Sequence, residues 1–365
     1  MADGSASRTR LKQLDSLRGF AALWVVIFHF SFGTKRWFEA DEQTKGAAIA
    51  PFLTNLEGLI PVYLFFIISG FVILMTLEQR RNLTDFVVSR FARLFPAYWT
   101  CLAITIAAAI AWPMPVQPIS PVVVLGNITM LQDFLAIQHI ESVYWSLSVE
   151  LAFYAMMGTI FALGWLDRIE ILGSIWLALS VIVFHLFPSL AQMIPWRVLL
   201  VTGLQYAPFF FAGILFFRIY RLGATPSRML LIVACYLTAV ANQRWMFVGL
   251  IGLIFVLFAI AMWGNIRWLG SPLLVYLGAI SYPVYLVHQS VGFRIQRGIV
   301  DIGLGAWPGF LIALLAVLVI SALINGVIER PVQRAIRTAW QTRFRADRPL
   351  ATVVSGEPGR PGDTG

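Results

Sequence analysis

Arg18 and His29 are the first residues in the chain whose types and spacing suit chemistry, in the string LRGFAALWVVIFHF from Leu17 to Phe30. Eleven residues of α-helix turn through about 1100°, within about 20° of three whole turns, so the two side chains share a face about 16 Å apart. A neutral imidazole takes up a proton near physiological pH, and a guanidinium holds an anion. The pair therefore suits an elongated anionic substrate whose reacting end reaches the histidine. Taken singly, Arg18 is a rim charge and His29 a packed ring; their alignment is what marks them.

Further polar groups fall in apolar surroundings, where each costs a few kcal/mol and by default marks a site or a pathway. Glu150 closes the string YWSLSVE, from Tyr144, with Ser146 four residues before it and so on the same helical face. Its depth, similar to that of His29, predicts a carboxylate that orients the imidazole and raises its basicity. His288 ends SYPVYLVH, from Ser281, where Pro283 frees backbone carbonyls that need partners. Arg90 and Arg93, one turn apart in RFARLFPAY up to Tyr98, stand on the same rim as Arg18, and three guanidinium forks at one mouth suit a phosphorylated donor. In FFIISGF, Ser69 and Gly70 are small residues that favour close helix packing, with Ser69 also available to a channel. His139 and His185 are assigned no role.

The elements that hold these residues are read from composition. Of 365 residues, 59% are apolar and 12% charged, with a mean hydropathy of +0.79. That excludes a soluble globular domain. Ten apolar runs of spanning character lie near 18–34, 59–77, 97–113, 144–165, 170–187, 203–220, 228–242, 246–264, 272–292 and 308–328. With the N-terminus inside, 20 of the 27 basic residues fall on the inner side, which predicts cytoplasmic termini by the positive-inside rule. The fold class expected is an all-α polytopic membrane protein: a cytoplasmic segment over 1–12, a transmembrane domain over 13–331, and a cytoplasmic tail over 332–365, disordered toward its end. The first run lacks a cleavage site and is not a signal peptide. The net charge of +9 has no soluble basic face behind it, so nucleic acid is not an expected partner. Cys101 and Cys235 sit singly in apolar runs, with no CxxC or Cys/His cluster, so neither a disulfide framework nor a metal site is expected.

These strings, LDSLRGFAALWVVIFHF, FFIISGF, RFARLFPAY, WSLSVE and SYPVYLVH, resemble in order the motifs of the acyltransferase-3 family of membrane O-acyltransferases, over residues of about 11 to 331. The resemblance implies an acyl-CoA donor, usually acetyl-CoA, reached from the cytoplasm. It also implies transfer to a hydroxyl of a glycan or glycoconjugate at the bacterial inner membrane. By motif position it makes His29 the essential histidine, Arg18 its paired arginine, Arg90 and Arg93 the donor-side arginines, and Glu150 the acid. Ser69, Tyr98, Trp145, Ser146, Tyr282 and His288 are candidate pocket residues. Some members carry a fused extracytoplasmic esterase-like domain and this chain has none, so transfer finishes in the membrane domain or on a separate acyl-accepting protein. Other members acylate lipids or macrolides, which leaves the acceptor open.

The chemistry expected is general-base catalysis by His29 on an acceptor hydroxyl, with Tyr282, Ser69 or Trp145 as donors to the oxyanion. The competing class is a proton-coupled transporter without chemistry, since buried His and Glu among many helices also describe a carrier. The two related halves and paired broken helices common in such carriers are not visible in this sequence.

Overall fold

A computed structural model describes residues 2–38, 58–80, 82–112, 119–264 and 266–345. The described residues form helices and no strand. The main helices are α1 (Ala2–Phe38), α2 (Ile60–Glu78), α3 (Leu83–Ala111), α4 (Trp145–Ala162), α5 (Ile169–Val181), α6 (Ala207–Leu222), α7 (Pro226–Val240), α8 (Trp245–Trp263), α9 (Pro272–Asp301), α10 (Ala306–Ile324) and α11 (Arg330–Arg345). Seven helical stretches are long and apolar enough to cross a membrane, or eight if Trp196–Thr202 and Leu204–Leu222, bent by 47°, count as one. Each of the ten apolar runs overlaps a helix among the described residues, but α7 is short, and α9 is not among the seven. Residues 39–57, between the first and second apolar runs, and all of the tail beyond Arg345 lie outside the described residues.

The third helix departs from expectation. The apolar run over 97–113 leaves Arg90 and Arg93 in the connection before it, because a run of spanning character begins only where the charged residues stop. Instead Asn82 caps the helix, its side chain accepting from the Asp85 amide at 2.8 Å, and the helix runs through Pro96 for 29 residues. Both arginines are thereby fixed on a continuous helix.

Helix packing is set by close backbone contacts. A Cβ on Gly278 would lie 1.8 Å from the Asp15 carbonyl oxygen, and one on Gly19 would lie 2.7 Å from the Gly278 amide nitrogen. Only glycine admits this approach of α1 to α9. Gly70 and Gly213 do the same for α2 and α6. The α1 and α9 helices run parallel in a fixed register: Gly19 faces Gly278, and ten residues further along each, His29 faces His288.

Candidate active site

A cavity of about 100 Å³ opens among α1, α2, α3, α4 and α9. Of the residues singled out in the sequence, Arg18, Ser69, Arg90, Arg93, Ser146, Glu150 and Tyr282 line it. Strings from the first, second, third, fourth and ninth helices are thus brought to one place. Four candidates stand outside its walls. Tyr98 donates its hydroxyl to the Asn127 carbonyl at 2.6 Å, tying α3 to the short helix Pro121–Ile128 that precedes α4. Trp145 lies in an aromatic layer with Phe66 and Tyr206. His288 lies about one helical turn beyond Tyr285, a wall of the cavity, with ring centroids 5.8 Å apart, and His29 packs on the His288 ring.

The arginine end is held by an ordered chain. Pro283 cannot donate to the Ala279 carbonyl, and that freed oxygen accepts from Asn325 Nδ2 at 3.0 Å. The same amide donates to Glu329 Oε2 at 3.0 Å, and Glu329 Oε1 pairs with Arg93. Asn325 to Glu329 form one π-helical turn, a feature that often occurs at functional sites. Arg93 also lies over the Tyr282 ring, 5.7 Å from its centroid. Arg18 pairs with Asp15 at 3.1 Å.

Glu150 does not orient His29. Its Oε1 accepts from Ser69 at 2.7 Å and from Tyr154 at 2.6 Å, and the Tyr154 ring lies 5.9 Å from the Arg90 guanidinium. Nearby hydroxyl donors on α2 and α4 take the carboxylate because burial makes an unmet charge costly. Ser69 is therefore both a packing residue beside Gly70 and a partner of the acid. The oxyanion donors expected from sequence have other engagements: Ser69 donates to Glu150, Tyr282 donates to the Leu94 carbonyl at 3.2 Å, and Trp145 stands outside the cavity.

The imidazole of His29 is held by His288. His288 Nδ1 lies 2.8 Å from the Tyr285 carbonyl, an oxygen that only accepts, so Nδ1 carries the hydrogen and Nε2 a lone pair. That lone pair faces His29 Nδ1 at 3.1 Å, and His29 Nδ1 also lies 3.0 Å from the Val25 carbonyl. Both contacts require hydrogen on His29 Nδ1. In the neutral pair, the tautomer that satisfies all three contacts leaves Nε2 of His29 with its lone pair free. His288 is fully buried and His29 partly so.

Sequence reasoning missed Tyr154, Glu329, Asn325 and Glu141. Tyr154 is one helical turn beyond Glu150, a signal that was present. Glu141 is 2% exposed beside Thr105 Oγ1 at 3.0 Å; no string around it set it apart from an ordinary loop acid. Among the described residues, no group of three His, Cys, Asp or Glu side chains is placed to hold a metal ion.

An all-helical bundle with membrane-length helices and a buried cavity of arginines, a carboxylate and hydroxyls defines a multi-pass membrane protein with an internal polar site. The chain belongs to the acyltransferase-3 family: the family model, described as an acyltransferase domain, matches residues 11–326. It is therefore an acyltransferase enzyme. Acyltransferase MdmB of Streptomyces mycarofaciens is 28% identical to it, over 90% of this chain and 92% of the relative. Exopolysaccharide production protein ExoZ of Rhizobium meliloti (strain 1021) is 27% identical, over 80% of this chain and 94% of the relative. No solved structure matches.

Proposed function

We propose that the protein transfers an acyl group, acetyl in the simplest case, from cytoplasmic acyl-CoA to a hydroxyl of a polysaccharide, with His29 as general base. The observation that carries this reading is an arginine-rimmed cavity whose wall residue Tyr285 packs on His288, the ring that in turn holds Nδ1 of His29. Donor phosphates bind at the arginine end. The acyl-pantetheine arm follows α1 toward Tyr285 and passes this ring to bring its thioester to His29.

The acceptor oxygen attacks the thioester carbonyl as its proton moves to Nε2 of His29. The resulting imidazolium is stabilised through its Nδ1–H bond to His288, which plays the part first assigned to Glu150. Collapse of the tetrahedral intermediate breaks the C–S bond, and the proton on Nε2 passes to the departing CoA sulfur. General-base assistance of this kind contributes about 10² to 10⁴ in rate. Glu150, between Ser69 and Tyr154, balances the charge of Arg90 inside the cavity.

A polysaccharide acceptor is favoured by the similarity to the exopolysaccharide production protein of Rhizobium meliloti. The reading includes ten spans in a bacterial inner membrane, cytoplasmic termini, and an acceptor that arrives from the opposite face, directly or through a separate acyl-accepting protein. The test is incubation of the purified protein with acetyl-CoA and cell-surface polysaccharide, followed by free thiol and by glycan mass. Release of CoA with matching acetate ester on the glycan is expected. Absence of both from folded protein would end the reading and favour a carrier.

A further inference from the structure

The three arginines that line the cavity are largely balanced by acids. Arg18 has Asp15, Arg93 has Glu329, and Arg90 lies within electrostatic range of Glu150. Such a neutralised wall is a weak trap for a multiply charged nucleotide, yet Arg90 Nε is buried there without a hydrogen-bond partner. Surplus positive charge sits just outside. Arg337 of α11 is within electrostatic range of Arg80, Arg90 and Arg93, and neither Arg80 nor Arg337 has an ion-pair partner among the described residues.

Two links clamp α11 antiparallel along α3: the Arg93–Glu329 pair and a hydrogen bond from Trp340 Nε1 to Asp85 Oδ1 at 2.8 Å. Arg337 lies one turn before Trp340, about 12 Å of helix beyond the level of Glu329. Arg80 lies two residues past the end of α2, which runs about 14 Å of helix beyond Ser69. Arg80 and Arg337 are the guanidinium groups left without a balancing acid at this rim, and a phosphate relieves their repulsion while accepting bidentate guanidinium bonds.

We propose that Arg80 and Arg337 form the subsite for the phosphate on the ribose of the donor's nucleotide, the anionic group farthest from the thioester. The α11 helix is then part of the donor site, not a tail that follows the catalytic domain. This rests on the acyl-CoA reading above.

The experiment compares binding of acetyl-CoA and acetyl-dephospho-CoA, which lacks only the ribose phosphate, to the full chain in detergent. Wild-type protein is expected to prefer acetyl-CoA by about ten-fold, the scale of one charge-assisted contact. Arg80→Gln and Arg337→Gln should each reduce that preference, while Arg343→Gln, exposed near the end of the same helix, should preserve it. Equal wild-type affinity for the two thioesters overturns the subsite without needing a variant. Variants that keep the full preference overturn it too, as do variants that lose only their hold on vesicles containing anionic lipid, which would assign these arginines to headgroup phosphates. Wild-type protein that binds neither thioester refutes the acyl-CoA reading itself.

Discussion

Replacing His288 by Ala removes the acceptor 3.1 Å from His29 Nδ1 and leaves the Val25 carbonyl as that hydrogen's sole partner. The ground state keeps its tautomer, but the imidazolium formed as the hydroxyl is deprotonated loses a charge-assisted bond. Such bonds contribute about 1.5–3 kcal/mol, which at about 1.4 kcal/mol per decade is a loss of about 10- to 150-fold in kcat. The KM for acetyl-CoA should stay put, because the arginine end is untouched. His288→Gln, which offers a carbonyl oxygen near the position of Nε2, should recover part of the rate. The assay is initial CoA release at saturating acceptor, with acetyl-CoA affinity and thermal midpoint recorded for each variant, since loss of a buried ring also costs stability. A His288→Ala enzyme with kcat within two-fold of wild type, or with its deficit confined to KM, would refute the positioning role.

Three further outcomes follow from single contacts. Tyr154→Phe leaves Glu150 with Ser69 alone and should lower stability by about 1.5–3 kcal/mol; an unshifted thermal midpoint would deny the 2.6 Å bond. Asn325→Ala strands the Ala279 carbonyl and one Glu329 oxygen, each at about 1–3 kcal/mol, and should raise the KM for acetyl-CoA as Arg93 loses its brace. Wild-type stability and KM in that variant would contradict the bracing chain. Burial pushes the Glu141 carboxyl up to about 8, against the Thr105 hydrogen bond and Arg294, while an unfolded carboxyl titrates near about 4.3. The folded state thus binds the proton more tightly, so this contribution to stability is full below about pH 4.3 and fades as pH rises to about 8. Glu141→Gln should flatten that slope in a thermal-midpoint series; an unchanged slope would assign it to other groups.

Local geometry was legible in the sequence, and partnerships between distant helices were not. The alignment of Arg18 with His29 needs only the pitch of one helix, and the freed carbonyl before Pro283 needs only proline's missing hydrogen. That this carbonyl meets Asn325, and through Glu329 steadies Arg93, depends on α9, α10 and α3 meeting at one end of the bundle. The intervals from Gly19 to His29 and from Gly278 to His288 are equal in the sequence. Their meaning appears only once two glycines bring α1 and α9 into parallel contact. Without that register, Glu150 was the natural partner for His29 by depth alone, although Ser69 and Tyr154 were nearer to it in space. The apolar run over 97–113 marks only the part of α3 that suits lipid, so the polar first turns that start at the Asn82 cap and carry Arg90 and Arg93 were not legible from hydropathy.

The role of His29 is tested most directly by His29→Ala. Purified variant and wild type are given acetyl-CoA with cell-surface polysaccharide, and acetate ester on the glycan is measured by mass spectrometry at matched protein level and matched acetyl-CoA binding. Loss of about 10²- to 10⁴-fold in transfer with donor binding intact is the result predicted. Full transfer without the imidazole would contradict it.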